Sequence, residues 1–520
     1  MAETLEHGRV APFINCASGP SLNYDRFVAR GGRQTFFPKT PKGGRFVEIQ
    51  IICDPDRVRW EEEVFLDRVY FGENEAGSFS CSDPLLDRIW LTGWETFRSC
   101  CEDVITDNPT RERGQWIGDA LSVGLEINAV GSGDLSLVKR SLKTAPFSVD
   151  SLGRIPGLYP GIREFLPTYG SEWTGSNLRY YEVTGDNSLL EPLFPAALRN
   201  LESYLPHLKP GGLPSVPGTW TFVDWGYLTE TNPFAEGEQR EFHAEVDLGL
   251  TLFYYEALGE LVRWAGIIGR EKDAVNISDA RERLTGELRK TFSAEALNDP
   301  AARDKLGYHA IVLALRTGVV GEGGKKPALE FIKTHLMRCF PNDPAAPRLA
   351  DTSVMESRLI TPSFCHFVFP LLIEAGEMDF VLDQYRTAWG WMLDQGLTTW
   401  PEVFDLRWSH CHQWAGCPTW QLSRYVLGLQ PRFNRGPGHF EIKLIPGSLA
   451  SAKGSLPLDG EGKVVRIEWK LTGDEIIMQI EADAPITLAD AATPGKGIGT
   501  NAHHDLVFAS NELGAAVLKS

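Results

Sequence analysis

The sequence predicts a mainly α-helical protein in which a large helical region is flanked by two β-rich segments. Apolar residues recur at three- and four-residue spacing from about residue 82 to residue 429, which is the period of an amphipathic helix. Before and after this region they alternate with polar residues, as in half-buried strands. With 520 residues the chain is also too long for one ordinary hydrophobic core, so we expect two or three domains.

The first β-rich segment covers residues 1–78. Apolar and polar residues alternate in a run that contains Phe46, Ile49 and Ile51, and again in Glu63–Phe71. The segment is too short to build a large core of its own, so we expect it to pack against the region that follows.

The helical region covers residues 79–430 and begins near Ser82. Ser82 or Asp83 can cap a helix that has Pro84 at its first position. Further helical runs are Ser188–Leu205, Phe242–Gly266, Ala280–Phe292, Gly307–Leu315, Pro327–Leu336, Phe364–Ala375 and Asp379–Leu393. Roughly a dozen helices joined by long, aromatic-rich loops predict a toroid of helical hairpins.

Residues 431–520 return to the strand period. Phe440–Ile445 and Val465–Leu471 alternate, and a turn at Thr472–Glu475 leads into Ile476–Ile480. This pattern predicts a small antiparallel β-domain at the end of the chain.

Composition excludes several classes of partner. The formal net charge of -18 argues against nucleic acid and against an anionic membrane surface, since both demand clustered Lys and Arg. No apolar stretch is long enough for a transmembrane helix, and Met1–Val10 has no signal-peptide pattern. Nine scattered cysteines fit reduced thiols, so we expect a cytoplasmic protein. The acidic composition is compatible with a monomer or a homodimer.

The stretch with the densest group of charged and aromatic residues is Asp107–Asp119. It contains three carboxylates, two arginines and Trp116, while Pro109 and two glycines favour a loop or a helix entrance. Acids beside an aromatic ring suit a sugar-cleaving site, because carboxylates handle protons and hydroxyls and an indole packs on the apolar face of a pyranose. The alternative is a solvated loop whose charges pair with one another.

A second unusual stretch is Gly396–Asp405. Pro401 breaks any helix here, so Glu402 lies on a loop beside Trp400, and His412 follows shortly after. A single glutamate of this kind is usually solvated. Two separate loops that each pair a carboxylate with a tryptophan favour a carbohydrate site.

These residues carry a resemblance to a known family. Asp107-x-Pro109-x-Arg111-Glu112-Arg113-x-x-Trp116-x-Gly118-Asp119 resembles the signature of the bacterial α-L-rhamnosidases of glycoside hydrolase family 78. Gly396-x-Thr398-Thr399 followed by Trp400 and Glu402 is similar to their second signature, and Ser409-x-x-His412 to the segment after it. Asp224-Trp225 resembles a Gly-Asp-Trp turn between the two. The likeness extends from about residue 79 to residue 480.

The resemblance implies an (α/α)6 barrel with a C-terminal β-sandwich, and inverting cleavage of terminal α-L-rhamnose without a cofactor. It also implies that Glu112 is the general acid and Glu402 the general base. Asp107, Asp119, Trp116 and His412 match positions that hold the sugar. The remaining candidates for substrate binding are Arg111, Trp173, Asp224, Trp225 and Trp400.

The chain departs from the family pattern at several positions. Asn108 and Thr110 replace the usual Cys and Gln, and Pro401 separates Trp400 from Glu402. The β-domains that usually precede the catalytic domain are almost absent. Two alternatives therefore stay open: an (α/α)6 hydrolase for another deoxy- or uronic sugar, and a non-catalytic carbohydrate-binding relative.

The chemistry of inversion sets further expectations. One carboxylic acid must protonate the leaving oxygen, and one carboxylate must activate water about 6.5–9.5 Å away. We expect Arg111 and Arg113 to turn away from Glu112, since an inward arginine would oppose its protonation. Asp119 either accepts hydrogen bonds from the sugar or pairs with Arg113.

Two further features of the sequence do not by themselves indicate a functional site. Each candidate tryptophan, taken alone, is more often a core residue than a stacking wall. The sequence His410-Cys411-His412 matches no standard zinc spacing, so no metal site is predicted.

Overall fold

The structure is a computed structural model that describes residues 1–10, 13–14, 21–22, 24–38, 41–59, 71, 75–227, 246–349, 359–491, 497–510 and 516–518. Fifteen α-helices are present in these ranges, numbered in chain order. They are α1 Pro84–Ser99, α2 Gly124–Gly131, α3 Ser136–Thr144, α4 Pro167–Thr184, α5 Leu190–Glu202, α6 Leu248–Ile268, α7 Val275–Thr291, α8 Ala294–Asn298, α9 Pro300–Leu306, α10 Tyr308–Arg316, α11 Glu322–Met337, α12 Cys365–Glu374, α13 Met378–Gln384, α14 Gly390–Asp394 and α15 Cys417–Gln421.

Shorter helical turns extend or connect these helices. Three turns are π-helical: Gly118–Val123, Tyr385–Trp389 and Leu422–Val426. The 3-10 turns are Pro55–Arg57, Ala145–Ser148, Leu205–His207, Glu271–Ala274, Gln413–Gly416 and Phe433–Arg435. Single π-helical turns often occur at functional sites, and the first of the three carries Asp119.

The described strands are β1 Leu5–Glu6, β2 Arg9–Val10, β3 Phe13–Ile14, β4 Ser21–Leu22, β5 Ser78–Cys81, β6 Gln115–Trp116, β7 Leu158–Tyr159, β8 Leu429–Pro431, β9 His439–Ile442, β10 Ser451–Pro457, β11 Val464–Thr472, β12 Glu475–Asp490, β13 Gly497–Ser510 and β14 Ala516–Leu518. Strands β1–β2, β3–β4 and β6–β7 form three two-stranded pairs.

Helix α1 shows how the local sequence determines an element. The Asp83 carboxylate accepts a hydrogen bond from Leu85 N at 3.0 Å, and Pro84 occupies the first turn, where it needs no hydrogen-bond donor. Leu86, Ile89 and Trp90 then point into the core at helical spacing. This confirms the predicted helix and selects Asp83 as its cap.

Helix α6 is the centre of the helical packing. It is apolar over most of its length and packs against α4, α5, α7 and α10. Tyr254 donates to Leu201 O at 2.8 Å, and Trp264 Nε1 donates to Leu190 O at 3.0 Å, so two large buried side chains satisfy their polar atoms on α5. The predicted helix Phe242–Gly266 is confirmed from residue 248 onwards, and the other predicted helical runs also contain helices.

One curled eight-stranded sheet follows the helical region. Its order is β14-β13-β12-β11-β10-β5, with β9 parallel to β12 and β8 paired with β9. The predicted turn before Ile476 is confirmed, because Thr472 pairs with Glu475 and Gly473 has a φ of +61°. Trp469 anchors the sheet to the helices by donating to Val426 O at 2.7 Å.

Strand β5 belongs to this sheet although it precedes the helical region in the sequence. It pairs with β10, so the chain contributes one strand to the sheet before α1 and the others after the π-helical turn Leu422–Val426. Both predicted domain boundaries, 78/79 and 430/431, fall inside strands of this sheet, β5 and β8. They stay predictions.

The strand predicted around Phe46–Ile51 is wrong. Phe46 forms only an isolated bridge with Ala2, and Ile49 and Ile51 lie outside any strand with about half of their surface exposed. An alternating pattern needs a partner strand with a core behind it, and among the described residues this run has neither. The second predicted run, Glu63–Phe71, lies outside the described residues except for Phe71.

No helix in the described part of the chain combines the length and the apolar character that crossing a membrane requires.

Candidate active site

The 107–119 loop connects α1 to the π-helical turn that precedes α2. Two hydrogen bonds between Asp107 and Gly114 close the loop. The backbone N–H of Asp107 donates to Gly114 O at 2.9 Å, and its carboxylate accepts from Gly114 N at 2.8 Å. Asn108 Oδ1 accepts from Arg111 N at 2.6 Å, which turns the chain tightly in between. The loop therefore presents Arg111 and Glu112 at its tip.

The 396–412 loop carries the second glutamate. Glu402 N donates to Ser409 O at 2.8 Å, and His412 N donates to Trp400 O at 2.8 Å, so the loop folds back on itself. Trp414 Nε1 donates to Glu402 O at 2.8 Å. Pro401 lies within this frame, and the buried carboxylate of Glu402 points at the 107–119 loop.

Arg111 joins the two glutamates. Its guanidinium lies 3.0 Å from Glu112 Oε1 through Nη1 and 2.6 Å from Glu402 Oε2 through Nη2. The expectation that Arg111 turns away is therefore wrong. The carboxylate of Glu402, distant in sequence, draws the guanidinium inward, and a desolvated pair of this kind is strong.

Each glutamate is also held by an indole. Trp116 Nε1 donates to Glu112 Oε2 at 2.8 Å, and Trp225 Nε1 donates to Glu402 Oε1 at 3.2 Å. Both carboxylates are thus fixed by one guanidinium contact and one indole contact, which leaves them little rotational freedom.

Arg113 points out of the site, as expected. It pairs with Glu102 at 2.5 Å and donates to Pro41 O at 2.8 Å. The alternative pairing of Asp119 with Arg113 is therefore absent. Asp119 accepts instead from Tyr169 Oη at 3.3 Å.

His412 lies between two of the predicted sugar-binding carboxylates. Its Nδ1 is 3.5 Å from Asp119 Oδ1, and its Nε2 is 4.0 Å from Asp107 Oδ2. Asp119 Oδ1 and His412 Nδ1 are buried and lack a hydrogen-bond partner within the described part of the chain. Buried polar atoms normally have partners, so these two can serve ligand hydroxyls.

Burial of the site favours the uncharged forms of its ionisable side chains. Burial, reinforced by neighbouring carboxylates, raises the pKa values of Asp107 and Asp119 well above the usual range. Burial also raises the pKa of Glu402 to about 7, with the Glu112 charge adding to this effect and Arg111 opposing it. Burial and the Arg111 charge lower the pKa of His412, so its ring is neutral.

An aromatic wall lines one side of the carboxylates. Trp225 lies at its centre, with ring centroids 5.2 Å from Trp408, 6.1 Å from Trp220 and 5.1 Å from Phe222. Trp116 continues the wall at 6.2 Å from Trp220. Trp220, Trp225 and Trp408 are partly exposed, so their faces are accessible to a ligand.

Trp220, Trp408, Phe222 and Tyr169 were not predicted as site residues. The aromatic density of Trp220–Trp225 was an available signal in the sequence. Trp408 lies just before the Ser409-x-x-His412 segment, but nothing in its immediate neighbours marks it.

Two predicted tryptophans lie elsewhere. Trp173 is fully buried, donates to Leu142 O at 3.1 Å and packs against Trp264. Trp400 is also fully buried, and its backbone N–H donates to Thr96 Oγ1 at 2.9 Å. Neither indole has a face open to a ligand, so both are core residues, and Trp400 anchors the 396–412 loop.

Asp224 supports the site from behind. Its carboxylate lies 2.9 Å from His309 Nε2 and accepts from Thr361 Oγ1 at 2.6 Å. These contacts fix the turn that presents Trp225 to Glu402. His309 and Thr361 carry no sequence signal that connects them with Asp224.

No group of three or more His, Cys, Asp or Glu side chains in the described ranges is placed to hold a metal ion. The ring of His410 bonds instead to Leu406 O, at 2.7 Å.

The helical domain places two glutamates on facing loops, Glu112 with a side chain 7% exposed and Glu402 with one 2% exposed, and a pair of carboxyl groups is what glycoside hydrolysis requires. Residues 74–426, more than half of the chain, match the family described as the bacterial alpha-L-rhamnosidase 6 hairpin glycosidase domain. The chain therefore belongs to this family of glycoside hydrolases, which confirms the expected (α/α)6 fold class.

Solved structures of similar fold include three rhamnosidases. The family 78 rhamnosidase of Bacillus sp. GL1 has a TM-score of 0.65 and 23% identity, over 81% of this chain and 43% of its own. The α-L-rhamnosidase of Aspergillus terreus has a TM-score of 0.66 and 18% identity, over 84% and 50%. That of Streptomyces avermitilis, solved with L-rhamnose, has a TM-score of 0.62 and 18% identity, over 80% and 38%.

This chain thus matches half or less of the length of these relatives. No curated protein sequence matches it significantly.

Proposed function

We propose that this protein is an inverting exo-glycosidase that hydrolyses terminal α-L-rhamnosyl residues, with Glu112 as general acid and Glu402 as general base. The observation that carries the proposal is the pair of glutamates on two facing loops, with side chains 7% and 2% exposed and joined by Arg111. Family membership supports the reaction class, and the rhamnose-bound relative from Streptomyces avermitilis supports the sugar.

The separation of the two carboxylates is compatible with inversion. Glu112 Oε1 and Glu402 Oε2 contact the two terminal nitrogens of one planar guanidinium. Together with the width of the guanidinium, those contacts set an upper limit of about 8 Å on the distance between the two oxygens, a limit that includes both the inverting separation and the shorter one of retaining enzymes. Inverting enzymes leave about 6.5–9.5 Å between the carboxyl groups, which is enough for the attacking water.

Glu402 is suited to act as the base. With a pKa of about 7, its carboxylate is ionised above neutral pH and still basic enough to take a proton from water as the bond to the sugar forms. Below that pH it is protonated and cannot activate water. Activity therefore falls on the acid side as Glu402 takes up a proton.

The position of Glu112 supports the role of the acid, and in that role it must carry its proton beside Arg111, which lies 3.0 Å away. Glu112 lies on the opposite loop, fixed by Trp116, with its Oε1 on the Arg111 side that faces Glu402. Protonation of the glycosidic oxygen by Glu112 releases the aglycone, while water activated by Glu402 adds to the anomeric carbon from the other face.

The remaining residues hold the sugar. Asp119 and His412 offer unpartnered polar atoms to hydroxyl groups, and the partly exposed Trp225 offers an indole face to the ring. Neutral His412 both donates and accepts hydrogen bonds, which suits a sugar hydroxyl.

Hydrolysis of para-nitrophenyl α-L-rhamnopyranoside by the wild type, Glu112→Gln and Glu402→Gln tests the proposal. We expect the wild type to release nitrophenol and the activity of Glu402→Gln to fall at least about a thousandfold. The activity of Glu112→Gln should fall less, because nitrophenol needs little protonation to leave. Asp103→Asn, an exposed carboxylate between α1 and the 107–119 loop, is the matched control and keeps full activity.

A panel of other nitrophenyl sugars accompanies this assay. Cleavage of a different sugar, with rhamnoside inert, would keep the carboxylate roles and overturn the substrate. Equal activity of wild type and Glu402→Gln would overturn the assignment of the base.

A further inference from the structure

A short N-terminal strap lies across both loops that carry the glutamates. It consists of residues 1–3 and 41–46, which are joined through Ala2 and Phe46. Ala2 N donates to Phe46 O at 2.9 Å, and Phe46 N donates to Ala2 O at 2.9 Å. Ala2 is 1% exposed, so the strap is packed onto the surface beneath it.

The strap contacts the 107–119 loop at three points. Thr110 Oγ1 donates to Glu3 Oε1 at 2.8 Å, and Arg113 Nη1 donates to Pro41 O at 2.8 Å. A Cβ atom on Gly43 would lie 2.5 Å from Thr110 Cγ2 and 2.9 Å from a carbonyl oxygen of the loop, so only glycine allows this approach. Thr110 is also one of the positions at which the motif departs from the family pattern.

The strap contacts the 396–412 loop as well. Ser409 Oγ donates to the same oxygen of Glu3, at 3.3 Å, and Arg45 Nη2 donates to Gly396 O at 3.1 Å. The carbonyl of Ser409 accepts from Glu402 N at 2.8 Å. Glu3 is therefore connected to the backbone of Glu402 through a single intervening residue.

Glu3 also acts on Glu402 electrostatically. The groups that face Glu402 are Arg111, Glu112, Asp119 and Glu3, and His412 lies on its own loop. Burial is the main cause of the raised pKa of Glu402. The negative charges of Glu112 and Glu3 add to it, while Arg111 lowers it.

We propose that Glu3 is a positioning residue of the active site, whose carboxylate holds the two loops in register and whose charge acts on Glu402. This inference rests on the proposed hydrolysis. One oxygen accepting from a hydroxyl on each loop fixes the spacing between those loops, and that spacing sets the distance between Glu112 and Glu402.

Two substitutions separate the two effects. Glu3→Gln removes the charge and keeps a side-chain oxygen that can accept from both hydroxyls, whereas Glu3→Ala removes both. Glu48→Gln is the matched control, since Glu48 lies in the same N-terminal segment and binds Arg9 and Val10 N.

Amide hydrogen exchange of the free protein tests the positioning role without substrate. We expect Glu3→Ala to speed exchange about fivefold in peptides from both loops, which is the effect of losing a typical hydrogen bond, with the helices unchanged. Glu3→Gln and Glu48→Gln stay close to wild type. Unchanged exchange of both loops in Glu3→Ala overturns the proposal, whatever sugar the protein cleaves.

The pH profile of kcat/KM tests the electrostatic role. Removing a negative charge makes Glu402 easier to ionise, so Glu3→Gln shifts the acid limb to lower pH by about half a unit. An unchanged limb overturns this part of the proposal. Absence of any hydrolysis by the wild type would instead refute the proposed function and leave the exchange result to decide the role of Glu3.

Discussion

Arg111→Gln is the most informative perturbation of the site, because Arg111 is the cation that joins the two glutamates. Its contact with Glu402 Oε2 is 2.6 Å long and nearly free of solvent, with the two side chains 11% and 2% exposed. Removing the guanidinium leaves Glu402 buried beside Glu112 without the charge that favours its ionised form. The pKa of Glu402 should therefore rise above its value of about 7 in the wild type.

The size of this shift follows from the contact that is lost. A hydrogen bond to a charged group contributes about 1.5–3 kcal/mol. One pKa unit corresponds to about 1.4 kcal/mol, so the loss raises the pKa by about one to two units. We expect the acid limb of kcat/KM to move from about pH 7 to about pH 8–9, because the base then needs a higher pH to ionise.

The assay is the pH profile of kcat/KM for para-nitrophenyl α-L-rhamnopyranoside, run on the wild type, Arg111→Gln and Arg140→Gln. Arg140 is the control, since it is an exposed arginine on α3 that pairs with Asp103 outside the site. Its substitution should leave the acid limb in place. If the acid limb of Arg111→Gln is unchanged or moves to lower pH, Arg111 does not stabilise the ionised form of Glu402 and the prediction is refuted.

Three more perturbations have definite outcomes. Glu402→Gln should raise the melting temperature at pH 8 but not at pH 5. The pKa of Glu402 in the folded protein, about 7, exceeds the ordinary value of 4.5, so ionisation of Glu402 lowers the stability of the wild type as pH rises. The gain at pH 8 is about 3 kcal/mol, and equal melting temperatures of the two proteins at pH 8 would contradict it. Trp408→Ala should raise KM about two- to tenfold with kcat little changed, as for loss of one aromatic contact in the wall; an unchanged KM would remove Trp408 from the site. Asp224→Asn should lower kcat about tenfold and should reduce the quenching of Trp225 fluorescence that ligand binding causes. The reason is that the turn that presents Trp225 loses its His309 contact. An unchanged kcat would refute this support role.

Periodicity was sufficient to predict α1, the helices within the seven further runs, and strands β9, β11 and the beginning of β12. Amphipathic helices such as α1 and α6 bury a regular stripe of side chains, so their pattern is visible in the sequence alone. The N-terminal run with Ile49 and Ile51 shows the limit of this method. It alternates like a strand, yet it pairs with no strand in the described ranges, and pairing is a property of the tertiary structure.

Most of the candidate site could be predicted because its residues lie in two short motifs. Each motif forms one loop, and the structure brings Glu112 and Glu402 together as the resemblance implied. The direction of Arg111 could not be predicted from its own loop. It depends on Glu402, which is 291 positions away in the sequence.

The residues that support Asp224 could not be predicted either, because they are also distant from it in the sequence. His309 and Thr361 reach Asp224 from helix α10 and from the segment before α12, and no local pattern links them. Trp173 and Trp400 illustrate the opposite error, since a tryptophan looks alike in sequence whether it lines a pocket or fills the core.

The stereochemistry of the first product tests the central claim most directly. Proton NMR of the wild-type reaction on an α-L-rhamnoside, recorded before mutarotation, shows which anomer is released. Water activated by Glu402 on the face opposite Glu112 should give β-L-rhamnose first, with the α anomer appearing only later. Immediate release of α-L-rhamnose would mean that one glutamate attacks the sugar directly, and this would contradict the assigned roles of Glu112 and Glu402.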